Sequence, residues 1–582
     1  MKLKSYILLA LTGMALISCE DQLERLPKDK LTPETFFTNA NECELFTNDF
    51  YTMFPSASGI YGETADIITK NNLTQEVLGN RTVPATSGSW NWDKLRDINF
   101  FLEHSNKCEP ASDRDKYQGL ARFFRAYFYF EKVKRYGDVP WVDRALSSDD
   151  PELYKGRDDR KFVMTKMLED IDFAIDNLDT KKDVYRVSRW TALALKSRIC
   201  LFEGTFRKYH NLGDYEELLK QAAEAARIFI LESGYTITNT SSQPYLDLFA
   251  SLKADPSEIV LARAYNSAIK LSHDLNGYLT SMTQGRPGLL KNIANMYLML
   301  DGTPFTSQAG WENMTLPQES KNRDRRFAQT VRTPGYKRIG STTLEAPDLG
   351  ATETGYQLVK FLTESKYDSY NASTNDMPLF RAAEVLLNYA EAKAELGTLT
   401  QADLDMSIKP LRQRAGVATL QLADANANPD PYLASAETGY PNVKGDNKGV
   451  ILEIRRERTV ELLMEGFRYW DIMRWKEGAR FTKPFTGMYV PGPGEYDLNE
   501  DGINDVCLYK GVKPATSCRI VVELGKEVTL TNGDSGYILL HTDYPRVWDE
   551  GKDYLYPIPT DDRVITQGSI TQNPGWNDNL NF

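Results

Sequence analysis

Two stretches carry side chains whose types and spacing suit chemistry. In "DLNEDGIND", residues 497–505, oxygen-bearing side chains recur at Asp497, Asn499, Asp501 and Asp505, and Gly502 supplies a sharp turn. Alternate Asp/Asn positions followed by glycine match the start of a calcium loop, in which the side chains converge on one hard cation. The twelfth position of a full EF-hand loop would be Leu508, which has no oxygen to offer. The fit is therefore to a shorter calcium loop closed by the Asp at position nine, on a β-hairpin. A bound Ca2+ would rigidify the stretch around it; the competing reading is an Asx-rich turn without metal.

The second stretch is "RRERTVELLMEGFRYWDIMRW", where Arg455, Arg458, Glu461 and Glu465 recur at helical spacing. Two carboxylates are enough for glycoside hydrolysis, so Glu461 and Glu465 must be weighed as an acid pair. Side chains one helical turn apart, however, sit about 5–6 Å apart at Cβ and point the same way. They cannot flank a sugar ring. An ion-pair network that holds helix to loop is the better reading.

The rest of the composition narrows the field. Four scattered histidines and six cysteines without a CxxC pair leave no zinc-site spacing. Cys507 and Cys518 are the only cysteines close in sequence, and in an oxidising compartment they could bridge a loop. The chain has 582 residues, 41% of them hydrophobic, ample for a large core. Its formal net charge of −12 repels phosphate backbones, so nucleic acid is excluded as a ligand class. Aromatic residues make up 11%, with 31 tyrosines and 9 tryptophans, more than a core alone requires.

The elements that must position these residues come as helical pairs. Trp92 to Lys107 reads as a helix with an apolar face of Leu95, Ile98, Phe101 and Leu102. A second helix opens at Ser112, with Asp115 as a weak capping box, and stops at Gly137 with Pro140 beyond. "RKFVMTKMLEDIDFAIDNL", "VSRWTALALKSRICLFEGTF" and "DYEELLKQAAEAARIFILESG" continue the pattern. So do "LFRAAEVLLNYAEAKAELG", "ADLDMSIKPLRQRAG" and "ILEIRRERTVELLMEGFRYWDIMRWKEG" further on. Antiparallel pairs with small alanines at the crossings resemble tetratricopeptide repeats, which bury their apolar faces only by stacking. The predicted fold is mostly α, a tetratricopeptide-like frame split into two sets that form one scaffold. Between the sets, residues 236–378 are rich in Gly, Pro, Asn and Asp, with short β-like runs such as "SEIVLARAY" and "GYQLVKFL". Residues 479–550 have the same texture.

The N-terminus reads as a signal peptide: Lys2 and Lys4, then an apolar run from Tyr6 to Ile17, too short to span a bilayer. "LISC", residues 16–19, resembles the lipobox of bacterial lipoproteins, which implies cleavage before Cys19 and lipidation of that residue. Losing residues 1–18 takes the formal net charge from −12 to −14. No later run is apolar enough to cross a membrane. The acidic pair Glu20 and Asp21 resembles the signal that sends Bacteroidetes lipoproteins to the outer cell surface.

Five stretches together resemble the SusD/RagB family: "FFRAYFYFEKVKRYGDVPWV", "NRDRRF", "FRAAEVLLNYAEAKAELG", "RRERTVELLMEGFRYWDIMRW" and the closing "YLYPIPTDDRVITQGSITQNPGW". They occur in family order over nearly the whole mature chain. The resemblance implies an outer-membrane lipoprotein that binds glycan and delivers it to a SusC-like TonB-dependent transporter, with no chemistry on the ligand. The alternatives are a surface glycoside hydrolase and a binding protein for peptide or another small nutrient. The division expected is a signal peptide at 1–18, a lipidated tether at 19–40, and an N-terminal helical part at 41–235. A ligand-binding insertion at 236–378, a C-terminal helical part at 379–478, and an insertion with extended tail at 479–582 follow.

A sugar ring offers flat C–H faces to aromatic rings and hydroxyls to polar neighbours. "SGSWNWDK" nominates Trp90 and Trp92, at least one of them exposed on a Gly/Ser-rich loop. The family's ligand arc draws on this region and the middle insertion, which extends the nomination to Trp311, Tyr278 and Arg286.

Overall fold

The computed structural model describes residues 36–63 and 65–582. The signal peptide, Cys19 and most of the tether lie outside the described residues. No helix among the described residues is long and apolar enough to cross a membrane.

The helical pairs form where the periodicity places them: Asp93–His104, Ala111–Tyr136, Arg160–Asn177, Arg189–Tyr209 and Glu216–Glu232, then Ala382–Glu395, Gln401–Ala415 and Lys448–Glu461. The long helix ends at Gly137, whose φ of 72° suits a residue without Cβ. Its start differs from expectation. Pro110 is the N-cap and Ala111 the first helical residue, so Ser112 is inside the first turn and makes no capping box. Proline fixes φ and needs no N–H partner there, which lets the helix begin earlier.

The two sets close on each other. Ala382–Glu395 packs on Glu216–Glu232 and on Arg189–Tyr209. Ala222, Ala223, Ala225 and Ala226 share one core with Val385, Tyr389 and Ala392 of the second set. Alanines let the helix axes approach, and the frame is continuous across the insertion. The insertion itself is mostly irregular. "SEIVLARAY" yields the strand Ile259–Arg263, antiparallel to Met377–Arg381. "GYQLVKFL" yields only isolated bridges at Gln357 and Leu358, because glycine at φ 80° and Phe361 at φ 71° interrupt an extended run. The strand Phe485–Val490 pairs antiparallel with Gly536–Leu540. Cys507 and Cys518, whose spacing allowed a bridge, are buried free thiols in this structure, as are Cys43, Cys108 and Cys200. The closing segment lies against the end of the long helix: Tyr556 N–H donates to Arg135 O (2.7 Å) and Asn573 Nδ2 to Tyr136 O (3.0 Å).

The Arg/Glu stretch differs instructively. Its helix stops at Glu461, and Met464 (φ 62°) and Gly466 (φ 81°) turn the chain before the helix Arg468–Arg474. Glu465 therefore lies in the turn, off the helix face. Both glutamates are nevertheless tied to one arginine. Arg381 donates from Nη1 to Glu461 (2.6 Å) and from Nε to Glu465 (2.6 Å). Glu461 also accepts from Arg326 (2.8 Å) and pairs with Arg414, while Arg414 reaches Glu258 (2.8 Å). Arg326 pairs with Asp324 (2.7 Å) and Glu457 (2.6 Å), Arg412 with Glu457 (3.1 Å), and Lys360 with Glu465 (2.6 Å). Glu461 is fully buried, as are Arg455, Glu258 and Lys360. Glu461 is sealed from solvent and both carboxylates are committed to Arg381, so the acid-pair reading is set aside on geometry.

Removing one partner leaves the others as uncompensated buried charge. Glu461→Gln is expected to cost about 3–5 kcal/mol, read as the urea midpoint of the full chain. The guanidinium groups around Glu461 hold its carboxyl far below the ordinary range, and Arg474 with Arg458 holds Glu391 down to about 2. Depressed carboxylates stabilise the fold above their unfolded value, so this contribution is complete above about pH 4.5. It is lost as pH falls toward about 2. The thermal midpoint is expected to fall through that window, less steeply in Glu461→Gln.

Candidate ligand-binding surface

The nominated residues fall in two places. Trp90 ends the short turn Gly88–Trp90 and is 3% exposed. Its ring stands edge-on to Tyr136 (4.7 Å) and to Trp92 (5.4 Å). Trp92, half-buried, packs against Phe128 (5.5 Å) with the Lys132 ammonium 5.2 Å from its ring. Lys132 Nζ donates to Ser89 O and Asn91 O, both at 2.6 Å. Gly88 and Ser89 do form a turn, yet the lysine ties it down onto the frame helix. Trp90 is therefore a core residue, which corrects its nomination as a sugar platform, while Trp92 keeps a half-buried ring.

Trp311 has a different setting. It opens the turn Trp311–Asn313 behind Gly310, whose φ is 73°. Half-buried, it meets Tyr432 at 6.0 Å and Phe305 at 6.2 Å, both edge-to-face. Next to it, Tyr537 donates its hydroxyl to Glu312 O (2.7 Å) and pairs across the strands with Tyr489, ring to ring at 5.9 Å. Tyr432, Tyr489 and Tyr537 are all half-buried. Four rings from four separate segments thus form one band. Burial pushes the phenol of Tyr432 up to about 12 and that of Tyr537 further up, so both stay neutral donors at physiological pH. Both hydroxyls are already engaged within the protein, Tyr537 with Glu312 O and Tyr432 with Asn295 Nδ2 (3.1 Å), so the rings themselves are what suits the apolar faces of a ligand. Sequence reasoning missed the three tyrosines. The pairing of Tyr489 with Tyr537 is a matter of strand register, which local spacing does not reveal.

The band is held from behind. Met488 N–H donates to Thr354 O (2.8 Å), and a Cβ at Gly487 would lie 2.2 Å from that same Thr354 O. Only glycine allows this approach. Thr354 follows Glu353, which pairs with Arg286 (3.0 Å). Arg286, at φ 53°, also donates to Leu349 O (2.7 Å) and so clamps two insertion loops together. Met282, against Gly350 next to Leu349, is 64% exposed. Tyr278 lies deeper: its ring sits 5.3 Å from Tyr61 and its hydroxyl is buried without a partner. The structure thus links Trp311 and Arg286 through the strand Phe485–Val490, and leaves Trp90 and Trp92 in the frame.

The loop at 497–505 folds as an Asx-rich turn. Asp497 accepts from Gly502 N–H (2.8 Å), Asp501 from Ile503 N–H (2.9 Å), and Asp505 from Leu498 N–H (2.8 Å). Asn499 donates to Asp501 (3.1 Å). Among the described residues no group of three or more His, Cys, Asp or Glu is arranged to hold a metal ion.

This mostly helical, tetratricopeptide-like frame with part-β insertions defines the fold class, and comparison with known sequences identifies the family. The pattern of the SusD family matches residues 262–576, more than half of the chain, and a SusD-like pattern described as "Starch-binding associating with outer membrane" matches residues 56–201. The chain belongs to the SusD family. SusD-like protein P38 of Formosa agariphila is 24% identical over 509 residues, covering 83% of this chain and 93% of that protein. SusD-like protein P2 of the same organism is 24% identical over 529 residues, covering 85% and 94%. Among solved structures, a SusD-like protein from Bacteroides fragilis NCTC 9343 superposes with a TM-score of 0.68 at 20% identity, covering 95% of this chain and all of that one. A SusD-like carbohydrate binding protein from the same strain gives 0.67 at 20% identity, covering 91% and 99%. These structural likenesses establish the fold.

The two settings predict opposite responses. Trp90→Ala removes a ring from a packed core and is expected to cost about 3–5 kcal/mol. Trp311→Ala is expected to move the thermal midpoint far less. Calorimetric melts of the two variants side by side check the contrast.

Proposed function

We propose that this chain is a cell-surface, lipid-anchored glycan-binding protein. It captures oligosaccharide and delivers it to a SusC-like TonB-dependent transporter in the outer membrane, without chemistry on the ligand. The observation that carries the reading is the band of Trp311, Tyr432, Tyr489 and Tyr537, half-buried rings on the insertion side of a rigid frame. Family membership supports glycan as the ligand class, and the lipobox-like "LISC" supports an anchor at Cys19. The one constellation that invited a hydrolytic reading, Glu461 with Glu465, is locked in buried ion pairs.

The test is calorimetry and affinity electrophoresis of residues 20–582 against a panel of plant and host polysaccharides. One glycan class is expected to bind. Trp311→Ala combined with Tyr489→Ala is expected to weaken it tenfold or more, a loss of about 1.4 kcal/mol, while the fold is kept. Release of reducing sugar would overturn the non-enzymatic part of the reading. Binding of peptides alone would overturn the glycan part.

We further propose that Asp497, Asn499, Asp501 and Asp505 bind Ca2+ once the carboxylates turn from their loop amides toward the ion, an arrangement that the alternating oxygens and the Gly502 turn support. Millimolar calcium is then expected to raise the thermal midpoint of the wild type and not of Asp501→Ala. An unchanged midpoint in both would leave the segment a turn.

A further inference from the structure

The first described helix, Ala40–Thr47, carries Cys43 one turn beyond its cap, with Cys43 N–H donating to Asn39 O at 3.2 Å. The same Asn39 forms a parallel bridge with Glu109, whose N–H donates to Thr38 O at 3.0 Å. Cys108 immediately precedes Glu109 and caps the turn Ser105–Lys107. The backbone pairing fixes the relative height of the two segments, and it sets the Cys43 and Cys108 side chains in one core, near enough for each thiol to influence the other. Both side chains are 0% exposed and belong to the same core. Cys200, equally buried, is likewise a free thiol, in the middle of the helix Arg189–Tyr209.

This pair is ill suited to other thiol chemistry. Burial pushes both thiols above their ordinary range, so neither is an activated nucleophile. No third ligand completes a metal site there. What the geometry does suit is a bond between the two sulfurs, joining segments far apart in the chain.

We propose that Cys43 and Cys108 form a disulfide that staples the first helix to the frame. The step is thiol–disulfide exchange. The thiolate of one cysteine attacks a disulfide of an oxidised carrier, such as glutathione disulfide, and forms a mixed disulfide. The second cysteine then displaces the carrier sulfur. The protein loses two thiol hydrogens and the carrier gains two thiols, so atoms and electrons balance. The exchange precedes closure of the core, while both sulfurs are still reachable. The consequence is mechanical and thermodynamic together. A pull on the N-terminal segment is passed to the long helix pair through a covalent bond, and closing a long loop restricts the unfolded chain. Formation in the cell rests on the export reading above, because a disulfide persists only in an oxidising compartment.

The test has two arms. In the first, the full chain is unfolded, refolded in a glutathione redox buffer, denatured with a maleimide mass tag, and digested for peptide mass spectrometry. A linked 43–108 peptide is expected, with Cys200 tagged in the same sample. Dithiothreitol is expected to lower the thermal midpoint by a few degrees, and Cys43→Ser to show that lower midpoint with no response to reductant. Full tagging of Cys43 and Cys108 after oxidative refolding would overturn the proposal. In the second arm, protein recovered from the producing cells is tagged before any reduction. A linked peptide there supports both readings; free thiols there, with the link formed on refolding, would sink the export reading and keep the pairing.

Discussion

Buried charge that cannot return to water governs this fold. Glu258, Asp324, Glu457, Glu461 and Glu465 face Arg326, Arg381, Arg412, Arg414 and Lys360 in one continuous lattice. Taking such groups out of water is costly, and their mutual attraction offsets that cost only when every partner is in place. The partners come from different parts of the chain: the strand pair, the middle insertion, and the helices Gln401–Ala415 and Lys448–Glu461. The lattice therefore works as a registration device. A misplaced segment would strand a charge in the core.

The aromatic band inherits its position from this lattice. Trp311 belongs to the insertion that reaches the frame through Arg326 and Lys360, and Tyr432 lies in the connection between two lattice-bearing helices. Tyr489 and Tyr537 sit on a strand pair that Gly487 holds against Thr354, within the same insertion. Binding residues on loops are thus fixed by contacts made well below the surface. Rigid rings on a registered base lose little entropy when a ligand arrives.

The frame tryptophans show why composition misleads about exposure. Gly and Ser around Trp90 and Trp92 do produce a turn, but Lys132 from the long helix clamps its carbonyls, with Trp90 in the core and Trp92 half-buried beside it. A loop exposes its side chains only when nothing nearby satisfies its backbone.

The sequence by itself determined the helical pairs, the texture of the insertions and the family. Each rests on local periodicity or on motifs that survive as contiguous strings. It also pointed to ion pairing for Arg455, Arg458, Glu461 and Glu465, because alternating charge at helical spacing is legible locally. Tertiary structure alone decided which partners those charges took, since Arg326, Arg381 and Arg414 are distant in the chain. It likewise decided that Trp90 is core and Trp311 half-buried, that Tyr489 faces Tyr537, and that Cys43 and Cys108 share one core. These are long-range pairings, set by how segments pack and register, and no window of neighbouring residues contains them.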